Sequence, residues 1–258
     1  MKKIFLISLM IFACRVFLVA QDSSVPKKDT INRLDANMKK IGYWEEKMAD
    51  LVVKGYYNIK NKKVGNWLTF YISNSMISKL EYYENDQKNG ISLKFDRKGH
   101  ITGQDFYKND LLNGLSVSYN AFGELPVSEI NFTMGKKNGP AKWYYDNGKV
   151  KETDNYLDNL KQGQCQWYSQ NGKLVAEYNY IKGQFDGVQK TYYENDTLQS
   201  LATYSNNVLS GLYKEFYRNG QPKISGNYMN GQKDGPWIDY DETGKAIKTS
   251  KFKNGVVK

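Results

Sequence analysis

The chain has 258 residues, 40% of them apolar and 25% charged, which excludes disorder throughout and places it among folded soluble proteins. Its 21 Tyr, 11 Phe and 5 Trp carry much of the apolar share, and rings suit pleated, half-buried surfaces better than helices, so composition already leans toward β. The formal net charge of +10 is basic without being extreme, and the 2 cysteines leave little scope for a disulfide framework.

The chain opens Met1-Lys2-Lys3, followed by an apolar run from Ile4 to Ala20 broken by Ser8, Cys14 and Arg15, the layout of an export signal over residues 1–20 cleaved after Ala20. A membrane anchor is the competing reading, but Arg15 leaves at most eleven uninterrupted residues before it. A spanning helix needs about 20. Ile11-Phe12-Ala13-Cys14 has the outline of a lipoprotein box in which Cys14 is acylated, although Phe12 and the apolar Val16 to Val19 depart from it. Either route implies export to a periplasm, outer envelope or extracellular space. Losing Lys2, Lys3 and Arg15 reduces 37 basic side chains to 34 against 27 acidic, a net of +7, with Cys165 the one thiol left. Nucleic acid is disfavoured as a partner in that setting. Residues 21–41, polar at first and containing Pro26, are predicted to form a flexible leader.

From residue 42 the chain repeats itself. Gly65, Gly90, Gly114, Gly139, Gly163, Gly187, Gly211 and Gly235 stand 24 or 25 residues apart. Five places after each comes an aromatic: Phe70, Phe95, Tyr119, Tyr144, Tyr168, Tyr192, Phe216 and Tyr240. At nine places a second glycine recurs, as in Gly99, Gly148 and Gly220, with Asn74-Ser75 and Asn195-Asp196 standing in; such residues accept the positive φ of tight hairpin turns. At about seventeen places another aromatic returns, as Tyr82, Tyr107, Tyr156, Tyr180, Tyr204, Tyr228 and Phe252, with Phe132 one place later. A second turn follows, as in Met134-Gly135 or Asn230-Gly231. No window shows helical recurrence, so each unit reads as strand, turn, strand, turn. The expected fold is all-β: about sixteen short strands in tandem hairpins, joined edge to edge into one elongated twisted antiparallel sheet. Gly42-Tyr43-Trp44 resembles the start of a unit, but Lys47 replaces the aromatic, which makes it a degenerate cap; the repeat domain is thus 42–258, a cap plus eight units. At the far end Lys253 and Lys258 blunt the last strand.

Units such as Gly139-Pro140-Ala141-Lys142-Trp143-Tyr144-Tyr145-Asp146-Asn147-Gly148-Lys149 and Gly211-Leu212-Tyr213-Lys214-Glu215-Phe216-Tyr217-Arg218-Asn219-Gly220 resemble MORN repeats. In particular they are similar to the bacterial variant found in proteins labelled YwqK-type antitoxins. The resemblance covers roughly residues 42 to 258 and implies a scaffold or membrane-associated binding module. An export signal fits poorly with neutralising a cytoplasmic toxin, so an antitoxin role would require a toxin in the envelope.

No constellation for catalysis, a cofactor or a metal stands out. His100 is the only histidine, beside Gly99 in a predicted turn, so no Ser-His-Asp arrangement can form without it and no Gly-x-Ser-x-Gly elbow occurs. Cys165 lies in a predicted strand and has no nearby imidazole to activate it. Carboxylates such as Asp146, Glu194, Asp196 and Asp234 fall at turns, where bonding to backbone accounts for them. Strand alternation puts Trp67, Tyr71, Trp143, Tyr145, Trp167, Tyr193, Tyr213, Tyr217 and Trp237 on one face, either as packing or as a continuous binding stripe. The stripe suits a protein partner first, with glycans or anionic lipid headgroups as the alternative.

Overall fold

The computed structural model describes residues 31–258; the expected export signal, the alternative lipidation at Cys14 and residues 21–30 of the expected leader lie outside the described residues. What it shows is one open antiparallel sheet of 23 strands with no helix. Each long strand pairs with the long strands before and after it, from Lys40–Met48 on Leu51–Tyr57 to Gln232–Tyr240 on Ala246–Lys253. The strands outnumber the expected sixteen because the cap contributes two, Lys40–Met48 and Leu51–Tyr57, and the approach to some glycines forms three separate two-residue strands, Leu111–Leu112, Leu160–Lys161 and Gln184–Phe185. Two more arise at the ends. Arg33–Leu34 pairs with Lys40 and Ile41, so this part of the expected leader is built into a hairpin, and Val256–Val257 folds back on Phe252 and Lys253.

The two turns of each unit follow from their residues. In the first, exemplified by Tyr145 to Lys149, the Tyr145 N–H donates to the Lys149 carbonyl and the Gly148 N–H to the Tyr145 carbonyl, both at 2.8 Å, with Gly148 at φ +76. That is a three-residue hairpin loop ending in a left-handed residue. In the second, two successive residues have positive φ, as at Asp158 (50) and Asn159 (72) or Asn230 (50) and Gly231 (79), the type I′ geometry whose twist matches that of the flanking strands.

The leading glycines explain the repeat. Each has positive φ, and each faces an aromatic across the ladder: Gly90 pairs with Tyr107, Gly139 with Tyr156, Gly187 with Tyr204 and Gly235 with Phe252. In the first full unit Gly65 pairs with Tyr83, while Tyr82 pairs with Asn66 and points to the opposite face. Two adjacent tyrosines gave the sequence no means of choosing between them.

Successive units are also tied at their turns. Tyr71, Tyr145, Tyr193 and Tyr217 each donate their hydroxyl to a backbone carbonyl one unit further on, those of Phe95, Tyr168, Phe216 and Tyr240, at 2.7 to 3.0 Å. Asn147, Asn195 and Asn219 do the same through their amides to Gln170, Arg218 and Glu242. The burial is concentrated on one face: Trp67 and Trp237 are 2% and 3% exposed and Cys165 is sealed at 0%.

Candidate functional site

The sheet presents two faces of different chemistry. Ladder pairing puts Trp67 opposite Glu81, Glu81 opposite Ser92, Ala141 opposite Asp154, Trp143 opposite Glu152, and Glu152 opposite Trp167, all on one side, here called the tryptophan face. The nine residues expected to form a binding stripe divide into three groups on and beside it. Trp67 and Trp237 are core: their indoles lie flat on Gly55 and Gly226, where a methyl group would overlap the ring. Tyr71, Tyr145, Tyr193 and Tyr217 are the turn clamps described above. Trp143, Trp167 and Tyr213 are half-buried among rings of neighbouring strands, Trp143 with Tyr156 at 6.4 Å between centroids, Trp167 with Tyr178 at 5.0 Å, and Tyr213 with Tyr228 at 5.5 Å. One exposed aromatic stripe is therefore not what the strands assemble.

Lysines two places before the leading glycines complete this face. Lys63, Lys161 and Lys233 lie over Trp67, Trp167 and Trp237 with Nζ 4.3, 4.6 and 4.1 Å from the ring centroids. Lys161 also pairs with Glu152 at 2.9 Å and with the buried Asp154 at 2.7 Å, and Tyr156 donates to Asp154 at 3.0 Å. Burial works against the Lys161 charge, but the two carboxylates outweigh it and hold its ammonium above the ordinary range; burial, and then Asp154, pushes the Glu152 carboxyl up. Cys165 lies behind this cluster, and burial pushes its thiol up to about 12. A sealed, protonated thiol is a poor nucleophile. His100 donates from Nδ1 to the Asp96 carboxylate of its own turn at 3.0 Å.

The opposite side, the leucine face, changes along its length. Its central row runs Leu68, Leu80, Leu93, Gln104, Val117 from strand to strand, and then turns to charge with Glu129, Lys142, Thr153, Gln166, Glu177 and Lys190. The flanking row of the first half holds Tyr56, Tyr82, Ile91 and its partner Phe106, then Leu115, where the second half has Asn131, Pro140, Asn155 and Gln164. Tyr56 and Tyr82 are 39% and 38% exposed. No second layer of described residues covers these rows, since all extensive contacts join sheet neighbours. Nothing in the sequence reading singled out this half-face; counting every second residue on both sides of the glycines would have found it.

Two shallow cavities open on the sheet. A cleft of about 460 Å³ at the first-turn edge is lined by Tyr144, Tyr145, Asp146, Asn147, Lys151 and Gln170. A smaller one, about 210 Å³, sits on the tryptophan face between Tyr178 and Tyr213.

Compared with protein families, residues 137–158, 161–182, 185–206 and 209–230 match the MORN repeat variant. Four tandem MORN-variant units are thus present. Each match begins two residues before a leading glycine, and the MORN-variant register coincides with the hairpin register of the ladder. No curated protein matches the chain. MORN repeats are commonly protein- or membrane-binding modules.

Proposed function

We propose that this chain is a non-catalytic interaction module, exported from the cell, that holds a protein partner against the amino-terminal half of its leucine face and in doing so scaffolds or neutralises that partner. The carrying observation is the apolar row Leu68, Leu80, Leu93 and Val117, its last two members already packed to 7% exposure within the sheet, with Tyr56 and Tyr82 exposed beside it. Soluble chains rarely leave contiguous apolar patches open, and aromatic side chains are the commonest interface anchors. Charge on this half is confined to its first two strands, where Lys47 stands and Lys54, opposite Leu68, is paired with Glu45 at 3.1 Å; no lysine row runs along it to attract an anionic membrane surface. On the other face the carboxylates are tied to lysines and the thiol is sealed, which supports a binding role over chemistry.

The test is capture from the native cell envelope with tagged mature chain, beside a Tyr56→Ser/Tyr82→Ser variant and a control Lys142→Ala/Lys190→Ala variant, each checked for fold by circular dichroism. Loss of a specific protein in the first variant alone is the expected result. Equal capture by all three would place the partner elsewhere and sink the reading.

A further inference from the structure

Lys63, Lys88, Lys137, Lys161 and Lys233 stand two residues before their glycines, but the units led by Gly114, Gly187 and Gly211 carry Leu112, Phe185 and Leu209 there instead, and only the last two are consecutive. Charge is thereby removed from the tryptophan face between Tyr178 and Tyr213, where the 210 Å³ cavity opens. Its walls are rings: Phe185 stands 5.3 Å from Tyr178 and 5.5 Å from Tyr204, with Tyr213 across from them.

The floor is polar and small. Thr191 and Ser200 face each other across the ladder with their hydroxyls 2.7 Å apart, next to Ala202. One hydroxyl hydrogen satisfies that pair, which leaves a second O–H and further oxygen lone pairs for an incoming group. Gln189, also in the lining, is spent: its amide donates to the carbonyls of Asn179 and Gly187 and accepts from the Asn179 N–H. No ionisable side chain other than tyrosine lines the cavity.

We propose that this cavity binds one neutral pyranose ring of a glycan. Flat rings offer stacking surface for the C–H face of a sugar, and paired hydroxyls offer donors and acceptors for its edge. A purely apolar ligand would leave the Thr191 and Ser200 hydroxyls dry, at a cost; an anion would find no counter-charge, and the nearest carboxylate, Glu215 opposite Ser200, is already engaged by the Tyr213 hydroxyl and Lys223. The volume lies below the roughly 300 Å³ at which drug-sized pockets begin, so it suits one ring of a chain whose neighbours lie over the open sheet. This site is on the other face from the protein-binding surface proposed above, so either proposal can fail without the other.

The experiment is calorimetric titration of the mature chain with neutral hexasaccharides of glucose, mannose and galactose, with polygalacturonate as the anionic probe and anilinonaphthalene sulfonate as the apolar one. Two variants accompany it. Phe185→Lys writes into this unit the residue that five other units carry, so the fold accommodates it, and Thr191→Val removes a floor hydroxyl while keeping a strand-forming side chain. At least one neutral hexasaccharide should saturate a single site, weakened about tenfold or more (about 1.4 kcal/mol) by Phe185→Lys and several-fold by Thr191→Val. The proposal is overturned if no neutral hexasaccharide saturates, if binding is unchanged in both variants, or if only the anionic or the apolar probe binds. Should Phe185→Lys melt the fold, Thr191→Val alone decides.

Discussion

Tyrosine does three separate jobs in this chain, and its position in the unit decides which. At the first turn, Tyr71, Tyr145, Tyr193 and Tyr217 hydroxyls fasten one unit to the next. Opposite the leading glycines, Tyr107, Tyr156, Tyr180, Tyr204 and Tyr228 cover backbone that lacks a side chain. On the leucine face, Tyr56 and Tyr82 are left to solvent. A hydroxyl-only change separates the first role from a binding role. Tyr217→Phe keeps the ring and deletes the bond to the Tyr240 carbonyl, and urea unfolding should show a loss of about 1 kcal/mol with partner capture unchanged. A binding role for the clamp would show the reverse, weaker capture at unchanged stability.

At the scale of the strand and hairpin, the sequence was most legible where backbone geometry is demanded and least where side chains choose a face. The leading glycines and the second-turn pairs such as Asn230-Gly231 announce hairpins, because few other residues accept those φ values. For the nine rings, alternation assigns a face but not what lies across from it, so packing and a binding stripe could not be separated from the sequence. Trp67 and Trp237 are buried because a glycine on the adjacent strand makes room for the indole, a pairing between Gly55 and Trp67 or Gly226 and Trp237 that is invisible until the register is known. Three of the clamping tyrosines, Tyr145, Tyr193 and Tyr217, sit just past the end of their strands, where alternation does not apply, and Tyr71 is the last residue of its own. The glycine and indole form one unit of packing, which gives a measurable coupling. Gly226→Ala should cost about 1–3 kcal/mol by overpacking and much less in a Trp237→Val background, where the space is free. An equal cost in both backgrounds, measured by urea unfolding, would mean that backbone entropy or strain is responsible and that the indole does not occupy the gap.

Over the whole molecule, a single layer of hairpins cannot wrap a core, so stability is summed from neighbour contacts along the sheet. Its rings and carboxylates make that sum sensitive to alkali. Burial, reinforced by Glu45, Glu81 and Glu177, pushes Tyr43, Tyr83 and Tyr192 up to about 12. In the unfolded chain they ionise near 10. Below about pH 10 both states keep these protons and the contribution to stability is complete; from about 10 to 12 the unfolded chain releases protons that the fold retains, and stability falls. The urea midpoint should therefore be lost across that window, whereas one that stays flat to pH 12 would show these phenols to be solvated. The same single layer leaves both faces without a covering second layer, and the central row of one of them changes from leucine to glutamate and lysine along its length. The direct measurement is photo-crosslinking in the native envelope with a photoreactive residue in place of Tyr82 or, in a second chain, of Lys190. A discrete protein adduct from position 82 and none from 190 is the predicted result; no adduct at 82, or the same adduct at both, would contradict the account.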